Sequence, residues 1–316
     1  MANSTPNNPL FSASGTAGNT DLALELFTGE VLQSFHAKTN FRDKQRFYAL
    51  SKGKSLQLPV IGTATASYHT AGVELVGGTI GADDVTIYSD DKLVSDIFLS
   101  DIQEMLTHFD TRAPYTRELA HALARAYDKN SFTAIVNAAR ANAPLGGGNS
   151  TPVVEAAALT DATKLFAALS KAKLEMEKKN VDVDSEEVFA CLPLASWYLL
   201  ANSDRNLNKD YNGGRSDISR SMLDTIDGIK VMKSNIAPFA TDLSAETTIP
   251  TRYRQDMTKT AGAVWTRDAI ATVEVQAMGV QTEEQIRKQG HLIVARHTAG
   301  VNVVRPQCAV EIRTAV

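Results

Sequence analysis

The chain's patterning predicts an α+β fold, on three observations. The stretch Thr111–Ala143, TRAPYTRELAHALARAYDKNSFTAIVNAARANA, sets apolar side chains at Tyr115, Leu119, Leu123, Ala126, Ile135, Val136 and Ala139, close to helical spacing. Upstream, Leu56, Leu58 and Val60 alternate with polar neighbours, and DVTIYSDDKLVSDIFL resumes strand character after a glycine-punctuated middle. Downstream of the helix, strand and helix patterns alternate to the C-terminus.

In chain order, residues 1–20 are rich in Ser, Thr, Asn, Gly and Pro and predict a mobile arm, since they bury too little apolar area to offset ordering entropy. Asp21–Lys38 follows as an amphipathic helix with Leu24, Phe27, Val31 and Phe35 in step, weakened at Gly29 by about 1 kcal/mol relative to Ala. GKSLQLPVIGTATASY opens a long two-stranded excursion, which Pro59 confines to a sheet edge. A lone ribbon is marginal in water, so a neighbouring copy is a candidate cover.

Asp101–Asp110 reads as a short helix leading into the spine. Thr111 can cap the spine, Pro114 is tolerated in its first turn, and Pro144 with Gly146, Gly147 and Gly148 stop it. At 1.5 Å per residue it spans roughly 45–50 Å, longer than a small compact domain is wide, which favours a flat, elongated subunit. Thr160 or Asp161 caps the next helix, with Leu165, Leu169, Ala172 and Met176 as its apolar face. EVFACL reads as a strand, PLASWYLLAN as a helix, Ser216–Leu223 as a helix and IDGIKVMKSNIAP as a strand and exit. Phe239–Thr260 reads as a polar surface connection. AVWTRDAIATVEVQAM predicts strand, short helix, strand. In GVQTEEQIRKQG the pairs Glu283–Arg287 and Glu284–Lys288 predict a brief helix. The last segment predicts two strands around Gly300.

A length of 316 residues suits about two lobes. Net charge of −4 argues against a dedicated nucleic-acid grip, though it suits a wall facing nucleic acid. The two cysteines, Cys191 and Cys308, are isolated and point to a reducing compartment. The N-terminal stretch has neither a signal nor a transit pattern, no apolar run reaches 18 residues, and the sequons at Asn3 and Asn149 read as chance.

Chemical motifs are sparse. Glu118-x-x-His121 has the spacing of half a di-metal site, with Glu104 and His108 the only complement, and exposed helix polarity explains it better. His291 and His297 lack a third ligand. LGGGNS is no phosphate cradle. Asp83–Asp84 and Asp90–Asp91 alternate across a strand, so they cannot act as paired acid and base. Cys191 reads as a small buried hydrophobe, and Trp197, Tyr198 and Trp265 as packing. No catalytic, cofactor or metal residue is assigned.

The order of TGEVLQSF, GKSLQLPVIGTATASY, DIQEMLTHFDTRAPYTRELAHALA and VVRPQCAVEI resembles the major capsid proteins of T-seven-like short-tailed bacteriophages. Those proteins adopt the tailed-phage capsid fold named after phage Hong Kong ninety-seven. The resemblance runs from about Leu24 to Ile312 and is weakest in the arm and in Phe239–Thr260. It implies an N-terminal arm and helix over residues 1–50 and an extended β-hairpin loop over 51–92. A peripheral domain would take 93–186 and 263–316, with spine 111–143, and an axial domain 187–262. It further implies a virion protein, assembled in the bacterial cytoplasm as hexamers and pentamers of an icosahedral head. Expected partners are other copies, a scaffolding protein, a portal, weakly held double-stranded DNA and a possible decoration protein, with no membrane and no cofactor. Lys52, Lys54, Tyr68, Asp90, Asp91, Glu283, Glu284, Arg287 and Lys288 are the expected subunit-interface residues, and assembly is expected to be non-covalent. Two other readings are an encapsulin-type compartment and a metal enzyme built on Glu118 and His121.

Overall fold

A computed structural model describes residues 39–62, 64, 66–72, 74, 77–100, 112–143, 151–203 and 225–315. The arm, the helices expected at Asp21–Lys38, Asp101–Asp110 and Ser216–Leu223, the Thr111 cap, the Pro144 to Gly148 stop, Glu104, His108, Asn3 and Asn149 lie outside these residues.

The elements run β1 (Arg46–Ala49), β2 (Ser55–Ile61), β3 (Ala82–Tyr88), β4 (Leu93–Ser100), α1 (Arg112–Arg140), β5 (Val153–Val154) and α2 (Ala162–Lys178). Then come β6 (Val188–Pro193), α3 (Leu194–Ala201), β7 (Thr225–Ile226), β8 (Ile229–Ser234), β9 (Thr260–Thr266), β10 (Ile270–Gln285), β11 (Gly290–Val303) and β12 (Ala309–Arg313). They fall into two units. The larger holds Asn40–Asp90, Tyr127–Val275 and Ala299–Val316, and the smaller includes Asp91–Ala126 and Gln276–Thr298.

The larger unit is built on a six-stranded mixed sheet in the order β5-β12-β9-β6-β8-β7. β6 runs parallel to β8 and antiparallel to β9. The strands β6 and β9 are buried almost throughout, as an apolar run covered on both faces requires. The boundary expected at residue 262 falls inside β9, and β5, β9 and β12 share this sheet with β6–β8. Asp161 caps α2, accepting from the Thr163 and Lys164 N–H groups, and Leu165, Leu169, Ala172 and Met176 are buried as the spacing predicts. Cys191 is buried, and burial pushes its thiol up, away from nucleophile chemistry.

From Tyr127 onward α1 departs from the one-stripe expectation. Phe132, Ile135, Val136 and Ala139 are buried, but so are Asp128, Ser131 and Thr133. Phe132 lies edge-on to Phe239 at 4.7 Å and meets Phe41 at 6.1 Å, and Phe41 stacks on Trp265 at 5.7 Å. Several polar groups of this half are paired, though Ser131 Oγ finds no partner among the described residues. Asp128 accepts from the Asn40 N–H at 3.0 and 3.2 Å. Gln45 donates to the Tyr127 hydroxyl, which lies 2.9 Å from Thr272 Oγ1, and burial pushes the phenol up to about 12. At the helix end, Arg140 grips the buried Glu311 bidentately at 2.7 and 2.8 Å, and Thr260 donates to the same carboxylate at 2.6 Å. Burial opposes the Glu311 charge, but these donors hold the carboxyl below its ordinary value.

Five segments differ from expectation. Between β9 and β10 there is a three-residue turn rather than a helix, with Asp268 accepting from Arg46 (2.6 Å) and Arg305 (3.1 Å). Residues 279–290 are not helical. β10 continues to Gln285 with Met278 and Val280 buried, a turn follows, and β11 begins at Gly290, so strand pairing supplies the hydrogen bonds a brief helix would have made internally. Gly300 lies within β11. The IDGIK segment is a hairpin, β7–β8, whose turn residues Asp227 and Gly228 have φ of 52° and 78°, the Asp-Gly turn signature. Phe239–Thr260 is no loose surface loop, because Leu243, Tyr253 and Met257 are buried.

In the smaller unit, β4 pairs antiparallel with β11 from Ser100↔Gly290 to Leu93↔His297. Leu119, Ala120, Leu123 and Ala124 form the buried side of this half of α1. No helix among the described residues is long and apolar enough to cross a membrane.

Burial pushes the Asp128 carboxyl up to about 6 despite its backbone donors. Protonation therefore favours the folded state. The contribution is complete below the ordinary value of 3.8 and is lost as pH rises through about 6. Asp128→Asn keeps an acceptor for Asn40 and removes the charge. Urea unfolding of unassembled subunits should show the wild type losing about 3 kcal/mol relative to the variant between roughly pH 4 and 7. Parallel pH profiles for the two proteins would refute the assignment.

Candidate assembly surface

The ribbon β2–β3 is a two-stranded sheet of its own, in register from Ser55↔Tyr88 to Ile61↔Ala82. Pro59 sits opposite Asp84, where an edge strand tolerates a missing N–H. Its near half is not free-standing. Ile87 is fully buried against Ala271, Val273 and Val304, and Leu56 and Leu58 pack on the same cluster with Tyr48, Leu50 and Val275. Among the described residues its far half has no such floor. The Gly62 N–H donates to the Gly81 carbonyl at 2.8 Å, closing the ladder. Around and beyond that point Ile61, Ile80 and Tyr68 are 74%, 52% and 106% exposed.

Where β3 ends, the chain is fastened. Asp90 accepts from the Arg252 guanidinium, at 2.9 Å from Nε and closer from Nη2, and from the Tyr253 hydroxyl at 2.6 Å. The Val301 N–H donates to that hydroxyl at 2.8 Å. The Tyr88 carbonyl accepts from Arg252 Nη1 and Asn302 Nδ2, each at 3.0 Å, and the Ser89 N–H donates to the Lys54 carbonyl at 2.9 Å. Burial and the facing Asp90 charge push the Tyr253 phenol well above its ordinary value, so it stays a neutral donor. β11 approaches at Gly300, where a Cβ would lie 2.1 Å from the Tyr88 carbonyl oxygen. A fully buried Tyr and a half-buried Arg thus converge on one carboxylate at the foot of the ribbon.

Lys52, Lys54 and Tyr68 are exposed on or beside the ribbon, at its two ends. Asp90 differs, because its carboxylate is engaged within the chain. Asp91 is exposed at the start of the segment Asp91–Ala126 of the smaller unit. Glu283 and Glu284 are exposed on β10, while Arg287 and Lys288 are exposed in the following turn, with the Lys288 ammonium 6.0 Å above the Phe98 ring. Arg252, Tyr253 and Asn302 escape sequence reading. They lie far along the chain from Asp90, in a loop and a strand with no motif. Glu118 pairs with Arg125, 3.8 Å separates it from His121, and no three His, Cys, Asp or Glu residues converge among the described residues. His297 is buried on β11.

A ribbon whose base is built into its own core and whose far half exposes Ile61, Tyr68 and Ile80 suits contact with another chain, and comparison with known proteins agrees. The Gp10A-like major capsid protein family matches residues 57–313. The chain belongs to that family. It is a structural protein of the virus particle, a major capsid protein that builds the icosahedral phage head, and its family is not enzymatic. It is 27% identical to the major capsid protein of Escherichia phage T7, over 91% of this chain and 90% of that one. The capsid of cyanophage P-SCSP1u shares 30% identity, with a TM-score of 0.76 and 99% of both chains covered. The mature capsid of bacteriophage PhiM1, at 16% identity, shares the fold, with a TM-score of 0.73 over 87% of this chain and 86% of that one. The fold is that of the Hong Kong ninety-seven type of capsid, and these assemblies imply that the subunit associates with itself.

In this capsid subunit, Gly300→Ala forces a methyl onto the Tyr88 carbonyl and should cost about 1–3 kcal/mol in denaturant unfolding. Gly279→Ala, with nothing within 4 Å of the new Cβ, should stay within about 0.5 kcal/mol of wild type. Equal costs at the two positions would contradict the close approach.

Proposed function

We propose that the subunit closes the head as hexameric and pentameric rings, in which the Lys54–Asp90 ribbon of each copy reaches over its neighbour. One observation carries this reading. The ribbon's base is built into its own chain's core, while Ile61, Tyr68 and Ile80 at its far end have no cover. Exposed aromatic and aliphatic groups on a rigid mount suit a contact that forms only between copies. Head-to-tail contacts that close give rings, and rings of two sizes close a shell.

In this reading residues 51–92 form the extended loop. Residues 93–186 and 263–316, with the spine, form the peripheral domain. Residues 187–262 form the axial domain. Lys52, Lys54 and Tyr68 face a neighbouring copy from the ribbon, and Asp91, Glu283, Glu284, Arg287 and Lys288 serve peripheral contacts. Asp90 sets the ribbon from within. Assembly is non-covalent and multivalent, many modest contacts summing over the shell. A scaffolding protein and a portal are the further partners. Double-stranded DNA lies inside, held weakly and without sequence preference, as a net charge of −4 suits.

Removing the whole ribbon would strip Ile87 and the Leu56–Leu58 face from the core, so the informative truncation is distal. Joining Gly62 to Gly81 through an Asn-Gly turn preserves the last cross-strand hydrogen bond and deletes the tip. The truncated subunit should unfold with near-wild-type stability yet form no shells in electron micrographs, with or without scaffold. Shells of normal yield from it would sink the reading.

A further inference from the structure

We infer that Arg252 and Tyr253 are positioning residues for assembly. Through Asp90 and the Tyr88 carbonyl they fix the angle at which the ribbon leaves the body, and so the curvature of the shell. The inference rests on the ribbon contacting a neighbouring copy.

The geometry is that of a bracket. Three side chains, from the 3-10 turn Thr251–Tyr253 and from β11, fasten two acceptors, the Tyr88 carbonyl and the Asp90 carboxylate, where β3 ends. Arg252 spans both, giving Nε and Nη2 to the Asp90 carboxylate and Nη1 to the Tyr88 carbonyl. Nη1 also donates to Asn302 Oδ1 at 2.8 Å, and Asn302 returns a donor to Tyr88. A guanidinium holds such an arrangement because its donors form a rigid planar fork, which an ammonium lacks. Tyr253 is the second leg. Its hydroxyl is fixed by the Val301 N–H and aimed at the other Asp90 oxygen. Two legs on one carboxylate remove rotation as well as translation.

Core stability does not demand this bracket. The base of the ribbon is already held by apolar packing of Leu56, Leu58 and Ile87. Packing of that kind is non-directional and leaves the strands free to tilt. Directional, charge-assisted bonds at the strand end fix the tilt. A change of a few degrees at the foot is magnified along the ribbon: seven residues of β2 at about 3.3 Å each already reach roughly 23 Å. The tip position decides where the neighbour docks, and the docking angle, repeated around a ring, sets particle size.

The test uses the full-length chain assembled with scaffold. Asp90→Asn with Arg252→Gln removes the charges together, so neither is left buried alone, and Tyr253→Phe cuts the second leg by one oxygen. Arg252→Lys keeps charge without the fork. Expected in the double variant and in Arg252→Lys is a fall of about tenfold or more in the fraction of uniform closed particles, the scale set by losing a charge-assisted hydrogen bond. Smaller, larger or open particles replace them. Tyr253→Phe should do the same more mildly, while its Val301 amide loses hydrogen-exchange protection and the β2–β3 ladder keeps its own. Uniform wild-type-sized particles from Arg252→Lys and Tyr253→Phe would overturn the inference, whether or not the double variant folds. The tip-truncated subunit separates the two readings. If it assembles normally, the ribbon contact itself is wrong. If it fails to assemble while the bracket variants give normal particles, the contact stands and only the bracket falls.

Discussion

The subunit depends on an unequal burial along one ribbon. Leu56, Leu58 and Ile87 find a floor in Ala271, Val273 and Val304, and Ile61, Tyr68 and Ile80 find none. A two-stranded ribbon is marginal by itself, so the anchored half keeps the exposed half ordered enough to present a surface. Leaving several large apolar groups in water costs free energy that a second copy can recover. The described chain thus holds the ribbon's base in its own core and leaves its far half open to another copy, a condition that suits a self-assembling tile.

The body behind the ribbon is made rigid by buried polar pairing as much as by apolar packing. The helix α1 carries Tyr127, Asp128 and Arg140, bonded respectively to Thr272 on β10, to the Asn40 backbone and to Glu311 on β12. Each such group is costly to bury unpaired, so each pairing fixes one register of the helix against its neighbours. Phe41, Phe132, Phe239 and Trp265 fill the space between. Around them the chain must adopt one arrangement rather than a family of similar ones, and a shell built from many identical copies requires that uniformity.

Much of this was legible in the sequence. Period-two alternation at Leu56, Leu58 and Val60 and helical spacing in α1 and α2 mark elements that bury one face, and burial follows those patterns. Where a helix is buried on several sides the spacing no longer reports it, and for that reason Asp128, Ser131 and Thr133 escape notice. Charge spacing in Glu283–Lys288 mimics a helix because i,i+4 pairs carry no information about the strand partner that wins. The bracket was invisible for another reason. Asp90, Arg252 and Asn302 are brought together only by the completed fold, and none sits in a motif. The family resemblance, carried by short ordered blocks, located the ribbon but not what holds its foot.

The most direct measurement is the solvent reactivity of Tyr68 before and after assembly, by hydroxyl-radical footprinting with mass spectrometry. Tyr68 is fully exposed in the single chain. Its oxidation rate, measured against an added reporter peptide oxidised in the same exposure, should drop strongly when subunits enter closed shells. A Tyr68 as reactive in shells as in free subunits would show that the ribbon tip meets no neighbour, and assembly through the ribbon would be contradicted.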